Sequence, residues 1–260
     1  MSKNSNSSGR IVWHELVTPD PKATLGFYGE LLGWTSSEMD MGPAGKYTMF
    51  KSGGVDVGGA IAPPKGSNVP PSWLAYAAVA DVDVATRVAT ERGGKIMAPP
   101  MDIPNVGRFA VVVDPQGGVL APFKGTTDRP ELDGAPPVGT FCWDELLTSD
   151  PKAAVAFYSA IYGFTVQERD MGPMGTYNIL KRGDRQTAGI MKAPMPGQPT
   201  AWLSYVAVDD VDAKAKRAQQ LKGKQIVPPT DIPGIGRFSV VTDVQGAVFA
   251  LFKASPDYKM

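Results

Sequence analysis

Apolar and polar positions alternate along Ile11–Val17, on a background of β-branched residues, which predicts a half-buried strand. Asp20-Pro21 then offers an N-cap with proline in the first helical turn. The following pattern predicts a helix over 20–32, with Ala23, Phe27 and Leu31 on one stripe and Gly33 as the stop. Strands are expected near 34–39, 46–51 and 55–62, divided by Gly-rich turns. The cycle then restarts. A strand near 73–79 leads into a helix over 81–92 that ends at Gly93-Gly94, and strands follow near 95–101, 107–113 and 118–124. Asp114-Pro-Gln-Gly117 reads as the tight turn between the last two.

The same succession returns later in the chain. Trp13-His-Glu-Leu-Val-Thr-Pro-Asp-Pro-Lys22 reappears as Trp143-Asp-Glu-Leu-Leu-Thr-Ser-Asp-Pro-Lys152, with seven of ten positions identical. Met41–Tyr47 returns as Met171–Tyr177, Trp73–Tyr76 as Trp202–Tyr205, and Asp102–Phe109 as Asp231–Phe238. Ordered blocks of this length mark a tandem duplication. The repeat sets two domains, at 10–126 and 138–254, behind a polar leader at 1–9. Between them, 127–137 is polar and rich in Pro and Gly, the composition of a linker. Each copy contains two β-α-β-β-β units, so the chain holds four and the fold class is α+β.

Composition narrows the chemistry. Lys plus Arg (26) equals Asp plus Glu (26), and no basic run is interleaved with aromatics, which argues against a nucleic-acid partner. No apolar run approaches the ~18 residues of a membrane span, and no membrane partner is expected. Cys142 is the sole cysteine, so an intrachain disulfide is impossible and a reducing, cytoplasmic setting is expected. The chain has one histidine, His14. A first-row metal bound by side chains from separate strands wants about three or four His, Cys, Asp or Glu ligands. The reading is therefore that neither metal nor other cofactor is used.

The pairs Asp20-Pro21, Phe27-Tyr28, Gly33-Trp34 and Asp114-Pro-Gln-Gly117, with Asp150-Pro151, Phe157-Tyr158, Gly163-Phe164 and Asp243-Val-Gln-Gly246, resemble the vicinal oxygen chelate superfamily. That group includes glyoxalase I, extradiol dioxygenases and bleomycin-resistance proteins. The resemblance implies paired units curled into open, U-shaped mixed sheets whose concave face holds the ligand. In metal-dependent members, ligands come from the first strand, the last strand and their symmetry mates. Carried onto this chain, those positions fall at or next to Trp13 and Trp143, at Ala121 and Ala250, near Leu74 and Leu203, and in the strands 57–62 and 187–191. None offers a strong metal donor.

Several repeated residues are candidates for a site. Glu15 and Glu145 lie two positions after Trp13 and Trp143, hence on the same strand face. Each is a candidate general base or hydrogen-bond anchor, or else a structural carboxylate. His14 faces the other way; a place in a packed interface and a proton-transfer role are both open. Arg108 and Arg237 could clamp a ligand carboxylate or pin their own hairpin through Asp102 and Asp231. Trp13 and Trp143, with Tyr47, Tyr177, Tyr76 and Tyr205, suit a flat apolar ligand or a core. The expectation is a binding protein for a small apolar or aromatic molecule. The rival is a metal-free acid–base enzyme, of isomerase, lyase or hydroxylase-like type, working through Glu15 and Glu145. A monomer that reproduces internally the assembly of a dimer is expected.

Overall fold

The computed structural model describes residues 8–41, 45–64, 66–127 and 134–258. The proposed leader, apart from residues 8 and 9, and most of the proposed linker lie outside the described residues.

The first copy runs β1 (Ile11–Val17), α1 (Pro21–Leu32), β2 (Thr35–Asp40), β3 (Lys46–Ser52), β4 (Val55–Ile61), β5 (Ser72–Ala78), α2 (Val82–Glu91), β6 (Lys95–Ile103), β7 (Gly107–Val113) and β8 (Val119–Gly125). The second repeats this as β9 (Phe141–Thr148), α3 (Pro151–Tyr162), β10 (Thr165–Asp170), β11 (Thr176–Arg182), β12 (Arg185–Lys192), β13 (Ala201–Ala207), α4 (Val211–Gln220), β14 (Gln225–Ile232), β15 (Gly236–Thr242) and β16 (Val248–Ala254). Among the described residues each copy thus holds eight strands of mixed sheet and two α-helices, and the fold class is α+β. The expected elements lie within a few residues of their places.

Within a module, the strand before the helix pairs in parallel with the last strand, and the remainder is antiparallel. In the first, β1 lies beside β4 with Glu15 opposite Gly59, giving the order β2-β3-β4-β1. A parallel pair needs a crossover, and α1 supplies it. Its boundaries follow from local chemistry: the Asp20 side chain accepts from the Ala23 backbone N–H at 3.2 Å, and Gly33 adopts φ 72°, the left-handed cap that a β-carbon would strain. Thr24, Phe27, Tyr28, Leu31 and Leu32 form its buried stripe. Ala23 is exposed instead, because the inward face starts one residue later, at Thr24, whose hydroxyl donates to the Pro21 carbonyl at 2.7 Å.

The modules assemble into two compact units whose membership crosses the repeat. One unit joins Ala75 onward from copy one to Trp143–Trp202 of copy two; the other joins His14–Leu74 to Leu203 onward. Each has its own core. Phe157, Tyr158 and Tyr162 of α3 pack with Val82, Ala85 and Ala89 of α2 in the first. Phe27, Tyr28 and Leu31 of α1 pack with Val211, Ala215 and Ala218 of α4 in the second. The first module of one copy therefore buries its helix against the second module of the other copy. No helix among the described residues is long and apolar enough to cross a membrane.

Candidate functional site

The repeated tyrosines divide into two groups. Tyr76 and Tyr205 are buried in aromatic packing: Tyr76 against Phe109 and Phe123, Tyr205 against Phe238 and Phe252. Tyr47 and Tyr177 are half-buried and lie over glycines. A β-carbon built on Gly59 would collide with the Tyr47 hydroxyl, and one on Gly189 with the Tyr177 hydroxyl. Glycine is needed at both positions because a ring occupies the space. Gly59 is the register partner of Glu15 and Gly189 that of Glu145, so in each copy the tyrosine hydroxyl and the carboxylate share one sheet face. In copy two the Trp143 indole N–H donates to the Tyr177 hydroxyl at 2.8 Å. Glu145 is only 8% exposed, whereas Glu15 is half-buried.

His14 is 6% exposed and its ring stacks on Phe141, with centroids 3.7 Å apart and planes 13° from parallel. It belongs to the aromatic packing around Trp34 and Trp73, which Phe141 also joins. Asp144, its counterpart in copy two, is buried as well.

Both arginines are engaged by carboxylates. Arg108 donates to Asp102 at 3.0 Å and, through two nitrogens, to both oxygens of Asp83 at 2.8 and 2.9 Å. Arg237 repeats this with Asp231 and Asp212. The hydrogen bonds from Arg108 and Arg237 hold Asp83 and Asp212 below the usual carboxylate range. Because Asp83 lies in the first turn of α2 and Asp212 in that of α4, each arginine ties a hairpin to a helix. A shallow crevice of about 360 Å³ lies beside Arg108, with Lys124 and Thr126 in its wall, and one of about 330 Å³ lies beside Arg237.

A buried network emerged that sequence reasoning did not single out. In the first unit, Trp202 donates to the Tyr158 hydroxyl at 3.0 Å, and that hydroxyl donates to Asp114 at 2.9 Å. The other Asp114 oxygen accepts from the Gln116 and Gly118 backbone N–H groups. In the second unit, Trp73, Tyr28 and Asp243 make the same chain at 3.0 and 3.0 Å. Burial, reinforced by the neighbouring carboxylate, pushes both tyrosine hydroxyls well above their ordinary range. Burial also raises Asp243, against the lowering effect of its backbone and Tyr28 hydrogen bonds. The Phe-Tyr and Asp-x-Gln-Gly words contain these residues, and only the fold shows that they meet across copies.

The donor chemistry at the positions where the resemblance puts metal ligands does not fit a first-row metal. Ala121 and Ala250 are buried methyl groups, Leu203 is buried hydrocarbon, and the Trp143 N–H is a hydrogen-bond donor with no lone pair to give. Among the described residues, no group of three or more His, Cys, Asp or Glu side chains is arranged to hold a metal ion.

A sequence profile for the Glyoxalase/Bleomycin resistance protein/Dioxygenase superfamily matches residues 10–121 and 141–251. The chain belongs to that superfamily. CFP32 of Mycobacterium tuberculosis, provisionally named a glyoxylase, is 39% identical over 94% of this chain and 94% of its own. The anthracycline biosynthesis protein DnrV of Streptomyces peucetius is 33% identical over 96% of this chain and 95% of its own. Among solved structures, the Mn(II)-bound glyoxalase of Novosphingobium aromaticivorans is similar with a TM-score of 0.60, at 18% identity, over 98% of this chain and 83% of that one. The 2,3-dioxygenase LapB of Pseudomonas sp. KL28 gives a TM-score of 0.63 at 14% identity, over 97% and 96%. At such identities the two structures share a fold with this superfamily member and nothing further follows.

Proposed function

We propose that this chain is a glyoxalase/bleomycin-resistance-type protein that binds a small apolar or aromatic molecule without a metal ion. The observation that carries the reading is the pair of methyl groups, Ala121 and Ala250, where metal-dependent relatives would place a ligand. The half-buried rings of Tyr47, Trp143 and Tyr177 supply flat, partly polar contact surface of the kind that small-molecule sites use. A relative named for anthracycline biosynthesis points the same way, since an anthracycline is a flat polycyclic molecule. A monomeric chain is part of the proposal. The linkage keeps the second copy at a millimolar effective concentration, of order ~1 mM for a short connection.

A second reading keeps the same site and adds turnover. Glu145 is nearly buried beside Tyr177, where a carboxylate could act as an acid or base in isomerase, lyase or hydroxylase-like chemistry. Glu15→Gln with Glu145→Gln then abolishes turnover while ligand is still captured; unchanged turnover ends that reading.

Two measurements test the proposal. Protein incubated with nickel, zinc, manganese or ferrous iron and then desalted should retain less than about a tenth of an equivalent of any of them. Equilibrium dialysis against a library of flat apolar compounds should show stoichiometric capture. Near-stoichiometric retention of one metal would overturn the reading in favour of a metal-dependent lyase or dioxygenase.

A further inference from the structure

Among the described residues no methionine lies in either core, although the chain has 11. A thioether is ordinarily a gap-filler of packed interiors; here aliphatic and aromatic side chains fill them instead. Oxidised methionine is polar and disrupts a core that contains it. Cores free of thioethers are spared that damage, so the sulfurs can be oxidised while the packing stands.

Three of these methionines share the sheet faces that carry the half-buried tyrosines. In one unit Leu16, Phe50 and Ala60 point into the core, so strand alternation sends Glu15, Met49 and Gly59 to the opposite face. These three are register partners across β1, β3 and β4, and Met39 on β2 is the partner of Tyr47. The Tyr47 hydroxyl reaches over Gly59, so its ring runs diagonally beside Met49, within the reach of neighbours on one face. Met39 is 49% exposed and Met49 half-buried. In the other unit Leu180 and Ile190 belong to the core. Ile179, Gly189 and Met191 take the opposite face, where the Tyr177 hydroxyl covers Gly189. Met191 is half-buried as well.

We infer that Met39, Met49 and Met191 form a hydroperoxide-sensitive modification site that switches off apolar binding at these faces. A sulfur lone pair takes the terminal oxygen of the hydroperoxide, the O–O bond breaks, and water or an alcohol leaves. Sulfur is oxidised by two electrons and the peroxide is reduced by two. The sulfoxide presents a polar oxygen where a flat apolar ligand had met a soft thioether, and methionine sulfoxide reductases reverse the change. The inference rests on the aromatic-binding reading above and gives that site a redox control.

The full chain is treated with hydrogen peroxide, desalted, mapped by peptide mass spectrometry and dialysed against 2-naphthol. Each of the three methionines should gain one oxygen, the cooperative melting transition should persist, and affinity should fall about tenfold. Sulfoxide reductases with dithiothreitol should restore it. Dithiothreitol alone, which reverses sulfenic acid at Cys142, should not. Met39→Leu/Met49→Leu/Met191→Leu keeps the apolar volume and should bind with no response to peroxide. Met97→Leu/Met101→Leu, changed at exposed positions of β6, should respond like the wild type. Should the triple variant fail to fold, the reductase rescue of the wild type decides. Affinity that survives oxidation of the three sulfurs, a triple variant that still responds, or loss of the melting transition overturns the redox control and leaves aromatic binding standing. No binding of 2-naphthol by the untreated protein overturns both.

Discussion

The hydroxyl of Tyr28, in the first helix of copy one, donates at 3.0 Å to the carboxylate of Asp243, in the last turn of copy two. Tyr158 and Asp114 make the reciprocal bond in the other direction, at 2.9 Å. Each unit therefore closes only when both copies contribute. The polar link is sealed in apolar surroundings, where an unmatched partner is costly.

Removing either hydroxyl should be felt strongly. Tyr158→Phe leaves the Trp202 N–H and one Asp114 oxygen without the partner they share, and Tyr28→Phe does the same to Trp73 and Asp243. Each substitution should cost about 1–3 kcal/mol, read from urea unfolding curves. A loss within error of zero would show that water enters and replaces the hydroxyl.

Asp243 gives the network a pH signature. Its folded value is raised by burial, so its favourable contribution is complete below the unfolded carboxylate value of about 3.9 and is lost as pH rises through the folded one. Asp243→Asn carries no such titration. As pH falls from neutral towards about 4, the wild type should gain stability relative to the variant. A pH-independent difference in urea midpoint would contradict the assignment.

The arginine pins should behave in the opposite sense. Asp83 and Asp212 are held low by Arg108 and Arg237. Their contribution is present above the ordinary carboxylate range and disappears as pH falls through the depressed values. Asp212→Asn should melt below the wild type at neutral pH, with the gap closing on acidification. Because these pairs are exposed, the gap should also narrow with added salt. A gap that widened in acid would rule out the ion pair as its cause.

Cutting the chain between the copies should not separate them. A protease site placed between Gly134 and Ala135, both exposed, can be cleaved in the folded protein. The two fragments should still co-elute in size-exclusion chromatography and come apart only in denaturant. Elution as two separate species would mean that each copy closes on itself.

Much of this was legible from residues. The apolar periodicity, Asp20-Pro21 and Gly33 located the first helix, and the 130-residue echo of that pattern located its counterpart, α3. Strand alternation put Glu15 with Trp13 and set His14 apart, a separation matched by the stacking of His14 on Phe141. The alternatives left open for Arg108 needed Asp83, which lies 25 positions away and announces itself only through its copy at Asp212. The cross-copy bonds were not legible at all. A repeat says which segments are alike but not which of two similar helices a turn will meet, because α1 and α3 both carry the same Phe-Tyr pair.

The exchange of modules also fixes an order of events during synthesis. Once Trp202 has left the ribosome, the unit built from Ala75 onward and Trp143–Trp202 has its parts. The segment His14–Leu74, made earlier and carrying Phe27, Tyr28, Trp34, Phe50 and Trp73, must wait for the strands after Leu203. That aromatic stretch thus finds its cover only once the residues after Leu203 have been made, and until then it stays available to chaperones, or to its own neighbours.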